Sequence, residues 1–286
     1  TGNQSRFRDY DPNDKENFLA DKDLLSFAEK NGLWDPKEKF DFHKAYSKDD
    51  IADHTYNYTR VWGLQKLFTP SMKQDVDVNN FPVYAVPDSG HINIPELRKA
   101  FRFHYDGTDH DPYLHNNGHE PWRPVSIFRT TQTHLLQVRP WLPDAIGHIT
   151  YVANGMADLG VFLPIYQGIK SFPKAYQIGD NHCTDDSAYW KFRKVMTLAM
   201  TNYNAYAPVV KERYAKLEAE NDERQKEFET RYLAIYKEKP MEAQDMLQAF
   251  SDQILNRALE VADELTLDLF TRLTEDTMKN YMFHGA

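Results

Sequence analysis

A mixed α+β fold, with strands first and long helices last, is what this 286-residue sequence predicts. Three observations predict it. Alternating and β-branched runs crowd between residues 125 and 168. Apolar residues at three-to-four spacing take over after Asp185. A hydrophobic content of 41%, with 14% aromatic residues, is enough to bury a sizeable core in a chain of this length.

Taken in order, residues 1 to 10 are expected to hold a short strand. Lys15 to Gly32 has helical spacing, with Phe18, Leu19, Leu24, Leu25, Phe27 and Ala28 on one face and Gly32 as the stop. A second helix is expected from Tyr58 to Leu67, ended by Thr69-Pro70-Ser71. Residues 71 to 90 are irregular, and Pro95 opens a helix carrying Leu97, Ala100 and Phe103. Residues 104 to 124 form a long polar loop. Strands are expected within 125–142, 146–155 and 160–168, the last buried on both faces. A helix follows, capped by Asp186 or Ser187, with Pro208 breaking or kinking it. Residues 210–236 are charge-laced and expected to be largely exposed. A last helix spans about 243 to 273.

Charge and composition narrow the function. A formal net charge of −9 argues against a nucleic-acid binder, which needs a basic stripe to track phosphates. No apolar run reaches membrane-spanning length, so no membrane partner is expected. The single cysteine, Cys183, excludes an internal disulfide and fits a cytoplasmic setting. Phosphate-binding glycine loops and the GxSxG elbow are absent.

Three constellations carry potential chemistry. His104, Asp106, Asp109, His110, Asp111, His115 and His119 offer metal-ligand types, but without a metal-site spacing. The preferred reading is a polar loop whose Asp and Asn side chains bond their own backbone, with no metal and no cofactor. Cys183 beside His182 suggests a thiolate pair, although sequence neighbours usually point apart, and a structural or surface cysteine is preferred. Thr1 has the hydroxyl and α-amine of an N-terminal nucleophile. Tyr203, Tyr206, Tyr214, Tyr232 and Tyr236 recur at helical spacing and are expected to serve packing.

The collinear segments GNQSRF (2–7), DLLSFAEKNGLWDP (23–36), YNYTRVWGLQKLFTPS (56–71), LRKAFRFHYDGTDHDP (97–112), RTTQTHLLQVRPWLPDAIGHITYVANG (129–155), FLPIYQG (162–168) and DDSAYWKFR (185–193) carry a resemblance. Together they resemble the bacterial cysteine dipeptidases, a family of N-terminal-nucleophile hydrolases. The resemblance implies a partial four-layer αββα sandwich with a long helical C-terminal elaboration. Residues 1–184 would be the downstream part of the catalytic domain, and 185–286 a helical region packing on it. The family's nucleophilic cysteine opens the mature protein upstream of the GNQSRF match. Thr1 would therefore lie mid-chain, Cys183 would not be the nucleophile, and the chain alone would be inactive. Its partners would be a dipeptide substrate and the missing N-terminal segment, with a homo-oligomer left open.

The resemblance also implies two catalytic residues. Asn3 would donate a side-chain N–H to the oxyanion of the tetrahedral intermediate, an ordinary turn asparagine being the competing reading. Arg60 falls where relatives place an arginine close to the nucleophile, a surface salt bridge being its competitor. Arg129, Arg139 and the Asp106–Asp111 cluster offer charges for the termini of a dipeptide. Two other functions remain open: a non-catalytic scaffold acting through charged helices, and a hydrolase using Thr1.

Overall fold

The computed structural model describes residues 5–47, 50–76, 81–114 and 122–282, which fall into two compact units. One comprises residues 1–93 and 103–125. The other comprises 94–102 and 126–286.

The first unit is helical and aromatic. It contains α1 (Leu24–Lys30), α2 (Phe42–Tyr46), α3 (Ile51–Asp53), a π-helical turn (His54–Tyr58) and α4 (Thr59–Phe68). Ala28, Phe40 and Ala45 form one small core with Tyr10, Leu24 and Trp34 around it. Tyr58, Val61 and Phe81 form a second with Trp62 and Val76. No strand forms in residues 5–10, contrary to expectation. That segment is held instead by His43 Nδ1 against the Ser5 carbonyl (2.5 Å) and by Phe42 N–H donating to Arg8 O.

The helix expected from Lys15 shortens to α1. Asp14 accepts from Asn17 N–H (3.1 Å) and Asp21 from Asp23 N–H (2.9 Å). These side chains offer the backbone turns that compete with a helix. Gly32 ends α1 with a φ of 67°, a conformation glycine adopts without a Cβ penalty. Upstream of α4, Asp50 caps α3 and the π turn continues the helix, so helical structure begins eight residues before Thr59.

The second unit holds α5 (Ile94–Arg102), β1 (Gln132–Val138), α6 (Asp144–Gly147), β2 (His148–Asn154), β3 (Leu163–Tyr166), α7 (Ala188–Thr201), α8 (Tyr203–Ile235) and α9 (Pro240–Asn280). Pro95 does open α5, where its missing N–H costs no helical bond. The strands form an antiparallel sheet in the order β1-β2-β3, with Leu135 opposite Tyr151 and Ile149 opposite Tyr166. Period-two alternation buries Thr133, Leu135, Ile149, Tyr151 and Ala153 on one face. On that side Tyr166 meets Phe228 of α8 and Phe250 of α9. On the other face Leu136 and Val138 are 70% and 64% exposed, beside a cleft of about 500 Å³.

Pro208 lies inside α8 without ending it, and the break falls at Asn202, whose side chain accepts from Ala205 N–H. Buried Tyr203, Tyr206, Ala207 and Val210 hold the helix together around the one backbone bond that proline removes. Nor is 210–236 largely exposed. Glu218, Asp222 and Glu229 turn inward and meet arginines, while Gln225 meets Tyr151 and Glu229. Arg98 donates to both carboxylate oxygens of Asp222 (2.8 Å each), Arg102 to Glu218 (3.1 and 2.6 Å) and Arg139 to Glu229 (2.8 and 2.7 Å). Burial alone would lower the Arg98 pKa, but Asp222 and Glu218 outweigh it and hold that pKa above its ordinary value. Tyr203, Tyr206, Tyr214 and Tyr232 are all buried, as packing residues should be.

Candidate active site

Arg60 sits in the first turn of α4 and is half-buried. The π turn before it sets its surroundings, because the wider turn presents both a carbonyl and an amide to the guanidinium. Arg60 Nε donates to the Tyr56 carbonyl (2.7 Å), and Nη2 donates to Asn57 Oδ1 (2.6 Å). Asn57 Nδ2 in turn donates to the Asp53 carboxylate. The surface salt bridge that competed for Arg60 is not formed. Among the described residues no carboxylate lies within ion-pair distance of it.

A second cation stands beside it. Arg123 is tied to the helix by its N–H donating to the Thr55 carbonyl (3.1 Å), and its guanidinium lies over the Tyr56 ring at 5.3 Å. The two arginines therefore flank one tyrosine. Burial first, and then the neighbouring Arg123 charge, hold the Arg60 pKa below its ordinary value, against a smaller upward pull from Tyr105. An arginine so perturbed is still a cation.

Tyr105 locks this corner. It is 1% exposed and has a φ of 67°, a left-handed conformation that strains an aromatic residue. Its phenolic proton is shared between Thr59 Oγ1 (2.9 Å) and the Arg123 carbonyl (3.1 Å), joining α4 to the segment carrying Arg123. Desolvation pushes its pKa well above the usual tyrosine value, so the hydroxyl remains a donor. Gly63 lets Phe103 pack directly on α4, since any Cβ there would overlap the Phe103 ring. Trp122 adds edge-on contacts to Tyr105 (5.3 Å) and Trp62 (5.9 Å), and stacks on His110 at 3.8 Å.

The acidic and histidine-rich loop next to this corner is internally engaged. His104, 2% exposed, lies with Nδ1 3.0 Å from Asp111 and Nε2 2.8 Å from Asp106. Asp111 also accepts from Tyr113 N–H. Both ring nitrogens of His104 are thus engaged by carboxylates of the same loop. His115 and His119 lie outside the described residues.

Of the other sequence candidates, Asn3 and Thr1 also lie outside the described residues. Cys183 is exposed, in a turn where His182 N–H donates to Asp180 (3.0 Å). Arg139 is committed to Glu229 and the Ile146 carbonyl (2.5 Å), which removes it as a reader of substrate charge. Arg129 is exposed. Sequence reasoning passed over Arg123 and Tyr105. The signal open to it was Gly107 in FHYDG, which marks a tight turn at that point.

The profile of peptidase family C69 matches residues 1–216. A "Probable dipeptidase" of Salmonella dublin is 50% identical over 183 residues, 63% of this chain and 41% of that protein. A "Probable dipeptidase A" of Streptococcus pyogenes serotype M3 (strain SSI-1) is 25% identical over 279 residues, 94% of this chain and 60% of that protein. "Dipeptidase A" of Lactobacillus helveticus is 26% identical over 200 residues, 69% and 42% of the two. The chain thus spans from 41% to 60% of the length of these relatives. With most of its length matched by one profile, the chain belongs to peptidase family C69.

Proposed function

We propose that this chain is the downstream portion of a cysteine-type dipeptidase. One coincidence carries the reading. The family match covers α4, and there Arg60 is a fixed cation with no carboxylate partner among the described residues, at the position where the resemblance implies an arginine beside the nucleophile.

In this reading the attacking sulfur belongs to an N-terminal cysteine outside residues 1–286. Its α-amine takes the thiol proton, and the thiolate adds to the scissile carbonyl carbon. The oxygen that becomes negative accepts hydrogen bonds, one of them from Asn3. Collapse breaks the C–N bond, the proton passes to the leaving amine, and water then hydrolyses the thioester. Arg60 lowers the thiol pKa by its charge. No cofactor enters.

The finer fold in this proposal is the αββα sandwich. Its support is a sheet with helices on one face and exposed apolar residues, Leu136 and Val138, on the other, where a second sheet would pack. The division into residues 1–184 and 185–286, and a cytoplasmic location, belong to the same proposal. No described helix is long and apolar enough to cross a membrane. The scaffold alternative is not favoured, since the matched family is one of peptidases and Glu218, Asp222 and Glu229 of α8 are taken up by internal arginines.

The test is hydrolysis. The full-length protein should cleave dipeptides in preference to longer peptides, and residues 1–286 alone should cleave none. Cleavage by the isolated chain that disappears with Thr1→Ala would favour Thr1 as nucleophile. No cleavage by the full-length protein would favour the scaffold.

A further inference from the structure

We infer that Arg123, acting with Arg60, is the site that holds the free carboxylate of the substrate's leaving amino acid. The inference rests on the dipeptidase reading and adds to it the residue that recognises a substrate end.

Donor accounting comes first. A guanidinium carries five N–H donors and no acceptor. Arg60 uses two of its five, on the Tyr56 carbonyl and Asn57, which leaves three. Arg123 has no side-chain hydrogen bond or ion pair among the described residues, and its guanidinium lies over the Tyr56 ring face. Two cations with so many open donors, side by side in a protein of net charge −9, form a local anion site. Paired forks of this kind match the two oxygens of a carboxylate.

The surroundings are built rather than incidental. Arg123 is fixed at its backbone from two directions, by its own N–H on Thr55 and by Tyr105 on its carbonyl. The tyrosine making the second of these bonds holds a left-handed backbone conformation, and Trp122 packs on its ring. A solvated surface arginine needs none of this support.

Substrate geometry completes the argument. In a dipeptide the terminal carboxylate carbon is three bonds from the scissile carbon, one residue rise of about 3.3–3.6 Å. A cation placed to act beside the scissile bond therefore has a neighbour within reach of the carboxylate. Arg60 and Arg123 both rest on Tyr56, one at its carbonyl and the other at its ring, with Arg60 assigned to the reacting bond and Arg123 to the chain end. In a longer peptide the same point is occupied by a neutral amide, so the pair would also select for length.

The experiment compares, in the full-length enzyme, a dipeptide with uncharged side chains and the same dipeptide capped as its C-terminal amide. We expect the wild type to prefer the acid. Arg123→Gln should reduce the acid-to-amide ratio of kcat/KM about 10- to 100-fold, mainly through KM for the acid, and Arg123→Lys should fall between them. A second readout needs no variant: the leaving amino acid should inhibit the wild type more tightly than its own amide. Equal losses on both substrates in Arg123→Gln, or equal inhibition by amino acid and amide, would overturn the inference and leave the dipeptidase reading standing. Wild-type enzyme that cleaves no dipeptide would instead remove the reading and this inference together.

Discussion

At the scale of single residues, the account depends on side chains that carry charge or donors to a reacting bond. Asn3 is the sharpest case. If its amide holds the oxyanion, Asn3→Ala in the full-length enzyme should lower kcat on the order of a hundredfold with little change in KM, measured by steady-state hydrolysis. A near-normal kcat would remove Asn3 from the site. Arg60 was legible through its place in YNYTRVWGLQ, yet the bonds that hold it were not. They need a π turn, and no propensity marks one in HTYNY. Arg123 and Tyr105 were invisible for a related reason. Their importance comes from a ring under a guanidinium and a backbone at positive φ, both created by tertiary contacts.

Among secondary-structure elements, periodicity located α4, α5, α7, β2 and β3 to within a few residues, placed β1 inside the wider stretch 125–142 and ended α9 seven residues early. It misjudged α8 because charge was taken as a sign of exposure. The inward stripe of Glu218, Asp222 and Glu229 is charged and buried at once, which is possible only because Arg102, Arg98 and Arg139 come from α5 and the end of β1 to meet it. Glu218 is central to this stripe. It accepts two of the hydrogen bonds that Arg102 donates, accepts from Phe162 N–H (2.7 Å) and lies 3.9 Å from Arg98. Removing it strips Arg102 of its carboxylate and leaves the Phe162 N–H unbonded, so Glu218→Ala should destabilise the protein by about 3–5 kcal/mol. Chemical denaturation followed by far-UV circular dichroism measures this. A loss below about 1 kcal/mol would show the network to be solvated.

Across the whole molecule, aromatic burial sets the response to alkali. Tyr105, Tyr166, Tyr176 and Tyr214 are desolvated, and their pKa values rise above the ordinary 10.0. A group whose folded pKa is raised contributes stability that is whole below its unfolded pKa and is lost as pH climbs toward the folded one. The window therefore opens near pH 10. Each such tyrosine should then remove up to about 1.4 kcal/mol per pH unit, about 5 kcal/mol for the four together. Phenolate absorbance should lag behind that of free tyrosine and then rise together with unfolding. Smooth titration of every tyrosine near pH 10 with the fold intact would contradict the buried arrangement. Composition announced a large aromatic core, but which tyrosines fill it depends on how α7, α8 and α9 close over the sheet.

The measurement that bears most directly on the central claim is site mapping of thiol alkylation in the full-length protein during dipeptide turnover. The account predicts that activity falls in step with one label on a cysteine outside residues 1–286, and that Cys183→Ser changes neither the rate nor its inactivation. Activity lost in step with label on Cys183, or full activity after every cysteine is alkylated, would contradict it.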